Sequence, residues 1–121
     1  MRDYDNAKTY ADKTLFYDSN HYKAMKTLGD LYYQLGDMDS SIKYYNKSIN
    51  TNSQYYKTYY SLSKVLNEKG DQSSAIQNLN IALSINPKYD KAHILLGVIY
   101  SDNEKYEDAI YNFNKAVDIK D

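Results

Sequence analysis

The sequence matches itself at a spacing of 34 residues, and this period limits the possible folds more than any other feature. Leu28-Gly29 followed by Tyr32 recurs as Leu62-Ser63 followed by Leu66, and again as Leu96-Gly97 followed by Tyr100. Ser41, Tyr45 and Ser48 align with Ala75, Leu79 and Ala82, then with Ala109, Phe113 and Ala116. Upstream, Ala7, Ala11 and Thr14 fit this second set with no first set before them. The 121 residues therefore read as three full units preceded by half of one.

Spacing inside a unit gives its local structure. Met25, Leu28, Gly29 and Tyr32 fall at i, i+3, i+4 and i+7, one face of a helix. Ile42, Tyr45 and Ile49, like Ile76, Leu79 and Leu83, mark the apolar stripe of a second helix, which also carries small residues at 41, 48, 75, 82, 109 and 116. Small residues let two backbones approach while Tyr and Leu fill the flanking grooves. Gly36-Asp37 and Gly70-Asp71 separate the paired helices, glycine ending one and aspartate capping the next. Asn52-Ser53 and Asn86-Pro87 separate the units. Four glycines and one proline are too few for a turn-rich β chain, so the class is all-α.

Several activities are disfavoured. Fifteen basic against 16 acidic side chains leave a net charge of −1, which argues against binding to nucleic acid or an anionic membrane. No apolar run approaches the roughly 18 residues of a membrane span. Zero cysteines remove disulfides and thiolate chemistry but leave the compartment open. His21 and His93 lack a partner at metal-ligand spacing; His21 belongs to a connection and His93 reads as packing. There is no glycine-rich phosphate loop, and Glu104, Glu107 and Asp108 read as residues of a helix start. No catalytic residue, cofactor site or metal site is assigned, and the chain is expected not to be an enzyme. Of the 16 tyrosines, Tyr32, Tyr45, Tyr59 and Tyr100 occupy packing positions.

The pattern resembles the tetratricopeptide repeat, a helix-turn-helix unit of 34 residues. In that frame residues 1–21 are the second helix of a truncated repeat, and residues 22–55, 56–89 and 90–121 are three full repeats. The resemblance implies a right-handed α-solenoid of about seven helices. Glu104 stands in place of a turn glycine, Ser53 in place of a proline, and there is no tryptophan. Ser41 and Ser48 replace the commoner alanine; hydroxyls bonded back to their own helix would make the first full repeat the softest. Neither end carries a polar closing helix, so the chain is expected to be cut from a longer array. Ile94, Leu95 and Val98 lie off the apolar stripe and await a neighbour beyond the third repeat, unless they line a ligand groove.

The resemblance also implies ligand contacts at the second, fifth, ninth and twelfth positions of each first helix. These are Lys23, Lys26, Asp30 and Tyr33; Lys57, Tyr60, Lys64 and Asn67; and Lys91, Ile94, Val98 and Ser101. Lysine holds the second position three times, a ladder with steps of about 10 Å that an extended segment of about six residues would match. Lys26 with Asp30 and Lys64 with Glu68 are i, i+4 pairs, whereas Lys23, Lys57 and Lys91 have no acidic residue at i+4. The clamp that grips chaperone carboxyl termini is matched only in part: Lys26 and Lys91 agree, but Asp30, Ser61 and Leu95 replace two asparagines and an arginine. The expected role is a protein-interaction module for a partly acidic peptide or protein segment. Its rivals are a substrate-recruiting region of a larger enzyme and a scaffold that associates with itself through open repeat ends.

Overall fold

Helices stop and start where the turn residues say they should. The computed structural model describes residues 2–120, which form α1 (Arg2–Tyr17), α2 (Tyr22–Gln34), α3 (Met38–Thr51), α4 (Tyr56–Glu68), α5 (Gln72–Ile85), α6 (Asp90–Asp102) and α7 (Tyr106–Lys120), with no strand among them. Gly36 and Gly70 close their hairpins at φ of 83° and 91°, and Glu104 takes the same left-handed conformation at 61°. One hydrogen bond recurs in all three turns: Asp37 N–H to Tyr32 O, Asp71 N–H to Leu66 O and Lys105 N–H to Tyr100 O, at 2.8–2.9 Å. Asp37 and Asp71 then cap α3 and α5 by accepting from Ser40 and Ser74 N–H at 3.1 and 3.2 Å.

The connections between units are organised by the asparagines that mark them, Asn52 and Asn86, and by Asp18 at the equivalent place before α2. Asp18, Asn52 and Asn86, 34 apart, each accept through Oδ1 from the N–H two residues on, at 3.0–3.1 Å. This side-chain turn does not depend on proline, which explains why Ser53 is tolerated where Pro87 stands one unit later.

Paired helices pack as the small residues dictate. A Cβ on Gly29 would stand 2.5 Å from the Tyr45 ring, and one on Gly97 2.5 Å from the Phe113 ring, so each glycine is the seat of an aromatic side chain. Ser41 and Ser48 behave differently from expectation. Ser41 Oγ donates to Gly29 O at 2.7 Å, and Ser48 Oγ donates to Tyr22 O at 2.9 Å and lies 3.1 Å from Thr58 Oγ1. Both hydroxyls bridge to neighbouring helices instead of bonding back to their own, which removes the ground for a soft first repeat. Ser63, in the second full unit, does bond back to its own helix, its hydroxyl donating to Tyr59 O at 2.8 Å.

Neighbouring hairpins share apolar clusters. Tyr45, Leu62 and Val65 join α3 to α4, while Leu79, Ala92, Leu96 and Ile99 join α5 to α6. Leu95 packs against that second cluster, so it needs no further neighbour; of the three residues singled out, only Ile94 and Val98 are exposed. Contacts run between consecutive helices, and also from α2 to α4 and from α4 to α6, whereas among the described residues α3 does not touch α5 and α5 does not touch α7. The first helices of the hairpins are therefore drawn together and the second helices splay. The array curves with α2, α4 and α6 on its inner side, the arrangement of an α-solenoid.

Candidate functional site

The twelve residues that the repeat frame nominates all lie on α2, α4 and α6, and none of them is buried. Lys23, Lys57 and Lys91 are exposed, each in the first turn of its helix. Lys23 Nζ lies 5.7 Å from the centroid of the Tyr55 ring. Among the described residues, no carboxylate lies within ion-pairing distance of any of these three lysines.

The middle of this face is tied together internally. Lys26 Nζ meets Asp30 Oδ2 at 2.9 Å, and the other carboxylate oxygen of Asp30 accepts from Tyr45 OH. Burial, reinforced by Asp30, holds the Tyr45 phenol far above its ordinary pKa. Tyr33 OH donates to Glu68 Oε1, a bond that, with partial burial, pushes the Tyr33 pKa up to about 12. Glu68 is thus taken by Tyr33, and the expected Lys64–Glu68 pair does not form. Lys64 Nζ instead sits between two rings, 5.4 Å from Tyr33 and 5.9 Å from Tyr60. Tyr60 packs edge-on against Tyr89, and burial raises both phenols, Tyr89 to about 12. These side chains wall a polar cleft of about 270 Å³ lined by Asp30, Tyr33, Tyr45, Ser61 and Lys64, together with Gln34. Asn67, on the same face, has a buried Oδ1 with no hydrogen-bond donor among the described residues.

Towards the end of the chain the face turns apolar, with Ile94 and Val98 each 40% exposed and Ser101 half-buried. The inner side thus grades from a cross-linked polar cleft to an open aliphatic shelf, with lysines along one edge. His21 caps α2, its Nδ1 accepting from Ala24 N–H at 3.1 Å. His93 Nδ1 lies 3.0 Å from Asn112 Oδ1, and the Asn112 amide nitrogen donates to Asp108 O. Among the described residues no three His, Asp or Glu side chains gather as a metal set, and no helix is long and apolar enough to cross a membrane.

Sequence profiles of one kind cover almost all of this architecture. Residues 1–56 and 90–121 match profiles described as Tetratricopeptide repeat, and residues 64–104 match one described as TPR repeat. The chain belongs to the tetratricopeptide repeat family. Membership of this family supports a general role as a protein-interaction module. Its fold is shared with solved structures of MamA. One crystal structure superposes with a TM-score of 0.87 at 23% identity over 97% of this chain and 68% of that one. A second MamA structure gives 0.84 at 23% identity over 97% and 64%. A MamA fragment running from residue 41 to the end, from Desulfovibrio magneticus RS-1, gives 0.84 at 20% identity over 98% and 67%. This chain spans about two thirds of those proteins, and at such identities the likeness is one of fold. No curated protein matches the sequence.

Proposed function

We propose that this tetratricopeptide repeat array is a non-catalytic module that docks an extended, partly acidic segment of another protein along α2, α4 and α6. The observation that carries this reading is the row Lys23, Lys57 and Lys91: three exposed ammonium groups at equivalent places on neighbouring helices, without carboxylate partners among the described residues. Helices packed about 10 Å apart would set the two ends of the row about 20 Å apart, the reach of about six extended residues.

The remaining candidates divide by what already occupies them. Lys26, Asp30, Tyr33 and Lys64 serve one another and give the face its shape. Asn67 keeps its acceptor buried beneath this face, while Ile94, Val98 and Ser101 receive the far end of the docked segment. Tyr60 contributes a ring edge.

The test is to capture partners with the full chain, map the bound segment, and titrate it against a variant with lysines 23, 57 and 91 all changed to alanine. Three solvent-exposed charge contacts at about 0.2–1 kcal/mol each weaken binding by about three- to 150-fold. The salt dependence of the remaining affinity flattens. Unchanged affinity and an unchanged salt response in the triple variant refute the reading.

A further inference from the structure

The row of lysines has an aromatic companion with the same period. Tyr55 and Tyr89, 34 apart, stand at the N-cap positions of α4 and α6. Neither makes a side-chain cap hydrogen bond, whereas His21, in the same register before α2, caps with its ring nitrogen. Serine, threonine, aspartate and asparagine serve that position best, so capping does not account for tyrosine there. The two rings instead pack edge-on against the first tyrosine of the preceding first helix. Tyr55 meets Tyr22 with ring centroids 5.0 Å apart, and Tyr89 meets Tyr56 at 4.8 Å. All four rings are half-buried. Among the described residues, the tyrosine hydroxyls that donate to the protein are those of Tyr33, Tyr45 and Tyr59, which leaves the hydroxyls of these four without a protein acceptor.

Lys23 and Lys57 directly follow Tyr22 and Tyr56 in the sequence, and Lys23 Nζ lies against the Tyr55 ring. Each of the two steps along this edge therefore sets an ammonium group beside a ring pair. The step length selects the conformation of whatever lies along it. Packed helices repeat at about 8–10 Å. A β-strand returns a side chain to the same face at every second residue, at about 6.6 Å and then about 13 Å, and neither matches. A polyproline II helix turns once in three residues with a rise of about 3.1 Å each, so residues i, i+3 and i+6 share a face at intervals of about 9.3 Å. It makes no internal hydrogen bonds, so its carbonyls are free to accept from tyrosine hydroxyls, and its proline rings pack on aromatic side chains.

We propose that the segment docked along this edge is an acidic, proline-containing stretch in the polyproline II conformation, with a carboxylate at every third residue. This rests on the docking role given above and adds to it the conformation and spacing of the partner. The carboxylates at i, i+3 and i+6 meet Lys23, Lys57 and Lys91, which have no carboxylate of their own among the described residues. The prolines between them lie over the Tyr22–Tyr55 and Tyr56–Tyr89 pairs. Seven residues of such a helix cover the three lysines, and little order is lost on binding because the conformation is stiff beforehand.

The probes are three fluorescently labelled peptides with blocked ends, titrated into the full chain and followed by anisotropy. The first is three copies of Glu-Pro-Pro, the second has the same residues with the glutamates consecutive, and the third is three copies of Glu-Gly-Ser, equal in charge and spacing but without proline. Saturable binding of the first is expected, with the second and third each weaker by about fivefold or more. Tyr55→Ser together with Tyr89→Ser supplies better caps and is checked for an unchanged far-ultraviolet spectrum; it abolishes the advantage of proline and leaves the Glu-Gly-Ser peptide as it was. The ranking of the peptides on the unaltered chain stands independently of that variant. Changing lysines 23, 57 and 91 to alanine weakens all three peptides together, and a lack of any such loss counts against the docking role itself. If that loss is seen but the three peptides bind the unaltered chain equally, the docking role stands and the polyproline II proposal is overturned. It is overturned as well if no peptide binds saturably, or if a helical peptide with glutamates seven residues apart, the other spacing near 10 Å, binds more tightly than Glu-Pro-Pro.

Discussion

Gly29→Ala is the sharpest test of how these hairpins are packed. An added Cβ would lie 2.5 Å from two carbons of the Tyr45 ring, well inside contact distance. That ring is 2% exposed, and its hydroxyl is anchored on Asp30, so it has little room to retreat. Overpacking of this kind costs about 1–3 kcal/mol, and replacing glycine by alanine inside a helix returns about 1 kcal/mol. The net expectation is a loss of about 1 kcal/mol. In urea, with a slope of about 2 kcal/mol/M for a chain of this size, the midpoint falls by about 0.5 M, readable by circular dichroism. The chain contains its own control: Ser63 stands in the place of Gly29 one unit later, bears a Cβ, is fully buried and faces Leu79 instead of tyrosine. Tyr45→Leu introduced together with Gly29→Ala therefore relieves the clash, and a double-mutant cycle returns a favourable coupling of about 1 kcal/mol. Gly97→Ala meets the Phe113 ring at the same 2.5 Å, but that ring is 36% exposed and can swing outward, so this variant is neutral or stabilised by up to about 1 kcal/mol. The reasoning fails if Gly29→Ala is as stable as the parent, or if Tyr45→Leu does not reduce its cost.

Three further expectations follow from the geometry. Glu104→Gly removes a left-handed non-glycine residue from the turn that Gly36 and Gly70 serve elsewhere, and stabilises the chain by about 1 kcal/mol in the same urea assay; a loss of stability contradicts the turn analysis. Ser41→Ala deletes the buried hydrogen bond to Gly29 O and costs about 1 kcal/mol, whereas a hydroxyl that merely bonded back to its own helix would make alanine the more stable residue, so the sign decides. The raised phenols of Tyr33, Tyr45, Tyr60 and Tyr89 stay protonated in the folded state at pH values where the unfolded chain has already ionised. The stability they lend is full below about pH 10 and is lost as pH rises from there through about 12 and beyond. Spectrophotometric titration near 295 nm then shows a group of tyrosines that ionise only as the helical signal collapses; ionisation of all 16 near pH 10 in a folded chain contradicts this.

The helices and their turns were legible because they depend on neighbours along the chain: a period of 3.6 within a helix and glycine-aspartate between paired helices. Even Glu104, an exception on paper, adopts the backbone that its place in the period requires. Lys64 and Glu68 illustrate the limit. Four residues apart on one helix, they were natural partners, but Tyr33, 35 residues from Glu68, takes the carboxylate and leaves the lysine over its ring. Such links depend on the stagger between stacked hairpins, which a helical period does not encode. Ser41 and Ser48 illustrate another limit, since a hydroxyl can turn towards its own helix or its neighbour and only the packed interface decides. The aspartate-asparagine series at 18, 52 and 86, by contrast, was a visible signal, and counting at the repeat spacing finds it directly.

No helix described here touches one more than two places away in chain order. Such an array has no central knot of distant segments that must meet before anything is stable. Any one of the hairpins can nucleate, and growth zips outward in either direction over short loops, which favours fast folding. Loss of a terminal helix then unzips one interface and leaves the rest standing.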